Sequence, residues 1–264
     1  MATFIADYLD TVDLQWREVD ILVEEAVRVQ DSNESLYNAL CRSITVLIVA
    51  HMEGFVKGAV KNIISDYASI KFKDLPISIK RTYCKKYLGF DEKALPGYQD
   101  AIQCLIDDLD KSDDFKISPE PFLSDRNRNP KPDVICNIAS RFGVVDIFKN
   151  LHDSRFDKVF AMTSPQIKST LEVISILTKR KICDFPYRVR KNPYHTSPVS
   201  YRGRSLWQTF LDDLNQKRHK IAHGNDFANA TDINALIDLK DKVRILQYSF
   251  LLVICSEVCN SKID

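Results

Sequence analysis

The sequence predicts an all-α fold, and three observations predict it. Glycine is scarce, at 7 of 264 residues, whereas an all-β chain needs turn glycines at short, regular intervals. Apolar residues recur at three- and four-residue steps over long stretches near both ends. Residues that start or stop helices stand at the limits of those stretches: Asn33, Ser205 and Asp232 before them, Gly224 after one. With 45% apolar and 28% charged residues, a chain of this length buries a core without disulfides or metals. The reading is one domain over residues 1–264, an antiparallel helical bundle. Its core helices lie at about 3–30, 34–64, 205–223 and 232–259. A long, partly helical insertion at about 65–204 separates the second core helix from the third.

Each element has its own signal. Ile5, Leu9, Val12, Trp16, Val19, Val23 and Val27 make one stripe of a first helix. Asp31-Ser32-Asn33 ends it, and Ser32 or Asn33 caps the second. Ser43–Ala50 is apolar on every face, which suits a helix at the centre of a bundle or at a subunit interface. Pro76 and Pro96-Gly97 punctuate the next stretch, 98–110 reads as helix, and the prolines of 118–132 mark a loop. A short helix at 133–142 stops at Gly143. Pro165–Arg180 reads as a helix capped by Ser164 with Pro165 at its first position. Ser205 caps the next helix, with Leu206, Phe210, Leu214 and Ile221 as its stripe and Gly224 as its stop. Asp232 opens a last helix with a broad apolar face from Leu236 to Ile254.

Composition excludes several function classes. Formal net charge is +1, so any nucleic-acid binding must come from local patches. No glycine-rich phosphate loop is present, and no cofactor is expected. Seven cysteines, odd in number and without a C-x-x-C, suit a reducing cytoplasm. The N-terminus carries Asp7, Asp10 and Asp13 rather than a basic leader, and the most apolar runs, Ile44–Ala50 and Phe250–Cys255, are shorter than a bilayer span. The expectation is a cytoplasmic protein without a membrane partner.

Chemistry concentrates at residues 218–224, Arg-His-Lys-Ile-Ala-His-Gly. Arg218 is a permanent cation whose planar fork fits a phosphate. His223 titrates near neutral pH and accepts a proton from a hydroxyl. At about 100° per helical residue, His219 and His223 share a face, whereas Arg218 lies about 140° from His223. A single straight helix therefore cannot aim Arg218 and His223 at one phosphate. Either the helix ends near Gly224 or the site is composite, with a second subunit supplying groups. Three other readings stay open: His223 as a cation on a helix C-terminus, His219 and His223 as two zinc ligands with Asp226 nearest as a third, and a purely structural helix.

These residues resemble the signature of the HEPN superfamily of helical ribonucleases. The match is Arg218, the polar His219, Lys220-Ile221-Ala222 and His223, after an apolar helix and before a glycine and one last long helix. Leu40–Val60, leading into Met52-Glu53-Gly54-Phe55, resembles that family's early core helix, and 129–143 resembles a linker of its MAE-like and RiboL-PSP-type branches. The resemblance covers both ends well and the middle poorly. It implies metal-independent endoribonucleolytic cleavage through the ribose 2′-hydroxyl at a composite site in a homodimer. His223 would be the general base, Arg218 would hold the phosphate, and His219 would orient the site or protonate the leaving oxygen. It further implies a toxin or anti-phage effector, with an antitoxin or sensor protein as a possible partner. A catalytically silent module that binds RNA or a protein is the alternative.

Three further groups are candidates. Lys179–Ser205 holds eight basic residues against Asp184, a net charge of +7 that leaves −6 for the rest of the chain. Within it Arg188, Arg190, Lys191, Arg202 and Arg204, with Tyr187 and Tyr201, form a candidate RNA path, since cations track phosphates and aromatic faces stack bases. A solvated basic loop is the competing reading. Glu53, beside His51, and Asn225 are candidate supporting groups.

Overall fold

The computed structural model describes residues 2–112, 115–123, 129–152, 154, 156–189, 203–224 and 231–260. Among them are nine α-helices and no strand: α1 Phe4–Val29, α2 Glu34–Asp66, α3 Ile77–Leu88, α4 Tyr98–Leu109, α5 Pro132–Ser140, α6 Ile147–Leu151, α7 Ser164–Ile182, α8 Leu206–Ala222 and α9 Ile233–Asn260. The all-α expectation holds.

Helices α1 and α2 form the most extensive pairing. Asn33 caps α2 by accepting from the Leu36 N–H at 3.0 Å. The buried stripe of α1 runs Ile5, Leu9, Val12, Trp16, Val19, Val23 and then Ala26. Val27, expected on that stripe, is 52% exposed, because the 3.6-residue period carries the buried face back to Ala26. Gly58 lets the helices close. A Cβ there would meet the Tyr8 hydroxyl at 2.1 Å, while that hydroxyl donates to the Gly54 carbonyl at 3.1 Å. The start of α1 is held by Asp66 at the end of α2, which accepts from the Phe4 and Ile5 N–H groups at 2.7 and 3.3 Å.

Helix α2 is the one described helix long and apolar enough to cross a bilayer by length and composition. The apolar run is thus longer than Ile44–Ala50 alone suggests. In the bundle it is the central helix, packed by α1, α9 and α8. Trp16 from α1 meets Gln247 of α9 at 2.9 Å and lies edge-on to His51 of α2, so three helices join at one polar knot in the core.

Helix α7 falls within the segment read as insertion, yet it packs along α9 as the second most extensive pairing and also reaches α1. Its cap is Thr163 rather than Ser164: the Thr163 N–H donates to the Gln166 side chain at 2.9 Å in a capping box. Lys179 near its end bridges to Asp10 and Asp13 of α1 at 2.8 and 2.7 Å. The charge reads from sequence as part of a basic segment, but the fold uses it to fasten two helices.

Candidate functional site

Helix α8 begins as the sequence predicts. The Ser205 hydroxyl accepts from the Gln208 N–H at 3.1 Å, and the Gln208 side chain accepts from the Ser205 N–H at 2.8 Å. The buried face keeps Leu214 from the expected stripe but takes Trp207 and Leu211 in place of Leu206 and Phe210. Trp207, Leu211, Leu214 and Asn215 are buried, while Leu206 is 52% exposed. Trp207 wins over Leu206 because it packs edge-on to Phe160 at 4.8 Å and brings more apolar area inward.

This displacement fixes the direction of Arg218. Counted at 100° per residue, Arg218 continues the line of Trp207, Leu211 and Leu214, so it lies on the inward face near the end of the helix. It is half-buried and, among the described residues, its side chain makes no hydrogen bond or ion pair. One turn earlier, the Asn215 amide donates to the Leu211 carbonyl at 2.7 Å, while its Oδ1 is buried without a donor among the described residues.

His219 and His223 project from the other side of α8. Both are exposed, and their rings lie 4.2 Å apart, as residues four apart on one face should. Regular helix continues to Ala222, and His223 is the C-cap, with its N–H on the His219 carbonyl. Gly224 then takes φ +71°, the left-handed turn that ends the helix. The helix thus ends near Gly224, one of the two arrangements that the angle between Arg218 and His223 allows. One chain presents the cation inward and the imidazoles outward.

The remaining candidates separate. Glu53 pairs with Lys57 at 2.7 Å along α2, and no hydrogen bond or ion pair among the described residues joins it to the α8 motif. His51 stands against Trp16, its Nε2 buried without a partner among the described residues, and burial holds its imidazole below the usual histidine range. Arg188 pairs with Asp184 at 2.6 Å while remaining largely exposed, and Arg204 pairs with Asp212 at the start of α8. Tyr187 corrects the expectation of a base-stacking ring. It is 5% exposed, its hydroxyl donates to Asp66 at 2.7 Å, and its ring packs against Tyr67 and Phe185. It belongs to the core because the aromatic spacing that suggests stacking on bases also serves stacking on other rings. Arg190, Lys191, Tyr201, Arg202, Asn225 and Asp226 lie outside the described residues.

Sequence reasoning misses a second feature beside the motif. A cavity of about 340 Å³ opens between α8 and α9. Phe210, Leu214 and Leu239 line it, together with Lys217, Lys220 and Lys242. Lys217 and Lys220 are visible in the sequence as neighbours of the motif. Lys242 is not, because only the packing of α9 brings it alongside.

The model of the RiboL-PSP-HEPN family matches residues 12–256, and the chain belongs to that family. No curated protein and no solved structure matches it.

Proposed function

We propose that this member of the RiboL-PSP-HEPN family is a metal-independent endoribonuclease whose site is completed by a second copy of the chain. Domains of this family are often ribonucleases, and the chain carries the Arg-x4-His residues on the helix before the last one. The observation that carries the reading is the opposed placement on α8. An arginine with no carboxylate partner among the described residues faces inward, and two adjacent imidazoles face out. At the seams of α1 with α7 and α9, by contrast, Lys179 and Lys240 meet carboxylates. A guanidinium without a carboxylate partner among the described residues and a histidine pair suit an anionic substrate with an ionisable hydroxyl.

In this reading His223 takes the proton of a ribose 2′-hydroxyl. The 2′-oxygen attacks the adjacent phosphorus, and Arg218 of the other copy offsets the charge gathering on the phosphorane oxygens. His219 orients the site or gives a proton to the departing 5′-oxygen. The products are a 2′,3′-cyclic phosphate and a 5′-hydroxyl. A role as a toxin or anti-phage effector, controlled by an antitoxin or sensor, is the biological setting we favour, with the cytoplasm as its place.

The test is incubation with single-stranded RNA in the presence of chelator. We expect cyclic-phosphate ends from the wild-type chain and loss of cleavage in His223→Ala at unchanged melting temperature. Equal cleavage by His223→Ala would overturn the reading, and cleavage abolished by chelator would move it to metal chemistry.

A further inference from the structure

The cavity between α8 and α9 has the composition of a nucleotide subsite, and we infer that it holds one unstacked nucleotide of a single-stranded RNA beside the cleaved linkage. This rests on the ribonuclease reading and names its substrate class. The volume, about 340 Å³, stands at the lower end of the range for small-ligand sites. Phe210 and Leu239 supply apolar surface for a base, with the buried Leu214 behind them, and Lys217, Lys220 and Lys242 supply cations for its phosphates. Asp213 is the single carboxylate among the lining residues, so the rim keeps an excess of positive charge. Among the described residues none of the three lysines has a carboxylate within ion-pair distance, and Lys242 rests over the Phe160 ring at 5.7 Å.

Position argues for RNA over an acidic peptide. Lys217, Lys220 and His223 succeed one another at three-residue steps, and side chains three apart on a helix stand about 5–6 Å apart at Cβ. The cavity flank is therefore continuous with the face that carries His219 and His223. A strand whose scissile phosphate sits at His223 meets Lys220 within one nucleotide. A duplex keeps its bases stacked and cannot offer one to the cavity.

The experiment measures binding of a labelled single-stranded oligoribonucleotide by the full chain carrying His223→Ala, as a function of salt. Lys217→Gln, Lys220→Gln and Lys242→Gln together should weaken binding about tenfold or more and make the salt dependence shallower by about two, at about 0.7 per lost phosphate contact. Ala235→Trp, which fills the cavity and leaves the lysines in place, should weaken binding without changing that slope. Unchanged affinity in both variants overturns the proposal, and so does equally tight binding of an acidic peptide of matched charge. Cleavage by the chain with His223 intact is scored separately. Loss of the subsite thus leaves the ribonuclease reading standing, and failure of that reading appears as cleavage that ignores His223.

Discussion

The seams of α1 with α7 and α9 and the last turns of α8 treat positive charge differently. Where α1 meets α7 and α9, cations and carboxylates are matched. Lys179 meets Asp10 and Asp13, Lys240 meets Asp20 at 2.5 Å, and Arg244 meets Asp13 at 3.3 Å. On α8, Lys217, Arg218 and Lys220 have no such partner among the described residues. Holding unneutralised cations together costs stability through mutual repulsion. The contrast is between cations that fasten helices together and cations that, among the described residues, fasten nothing. Total charge, +1 here, says little, whereas the residues left without counter-charges say a good deal.

The sharpest break in the comparison comes from substituting each region in turn. Arg218→Ala or His223→Ala should lower RNA cleavage by about 10²–10⁴-fold. Neither should shift the melting temperature much, since neither side chain holds the fold together. Trp16→Ala does the reverse. It empties the junction of α1, α2 and α9, costs about 3–5 kcal/mol in denaturant unfolding, and reduces cleavage only as the folded fraction falls. A Trp16→Ala chain as stable as wild type would mean that this junction is not where the bundle is held.

Lys240→Ala should be intermediate. Its ammonium is largely buried and serves Asp20 and, at 3.6 Å, Asp241. Burial already pushes the Asp241 carboxyl above the usual carboxylate range. Removing the lysine should cost about 1–3 kcal/mol, read by urea titration at neutral pH. The lysines of the α8–α9 cavity provide the contrast, because Lys217→Gln should change stability by less than about 0.5 kcal/mol.

A smaller effect is expected from His51. Burial lowers its pKa, so the unfolded chain binds a proton that the folded chain refuses as pH falls below about 6.5. Its contribution is complete above that pH and is lost as pH falls through the lower folded value. His51→Gln should flatten the stability profile between neutral pH and pH 5. An unchanged profile would assign the acid sensitivity to other groups.

Most of the fold was legible because helix periodicity and capping are local. Asn33, Ser205 and Gly224 mark helix ends on residues readable one at a time. Sequence and structure part where packing chooses between neighbours. Trp207 displaces Leu206 from the seam, Ala26 displaces Val27, and Tyr187 turns from the surface into an aromatic cluster. The place of α7 against α9 was hidden because an amphipathic helix does not say which partner covers it. In the site, the opposed directions of Arg218 and His223 came from the angle per residue alone. The cavity did not, because Phe210 and Lys242 meet only across two helices.

The central claim is that Arg218 of one copy serves His223 of another, and mixing two inactive variants tests it. In a two-fold symmetric dimer, Arg218→Ala mixed equally with His223→Ala leaves half the dimers mixed, each with one intact site. Activity should then return to about a quarter of wild type after subunit exchange. A mixture that forms mixed dimers yet stays as inactive as either variant alone would contradict the composite site.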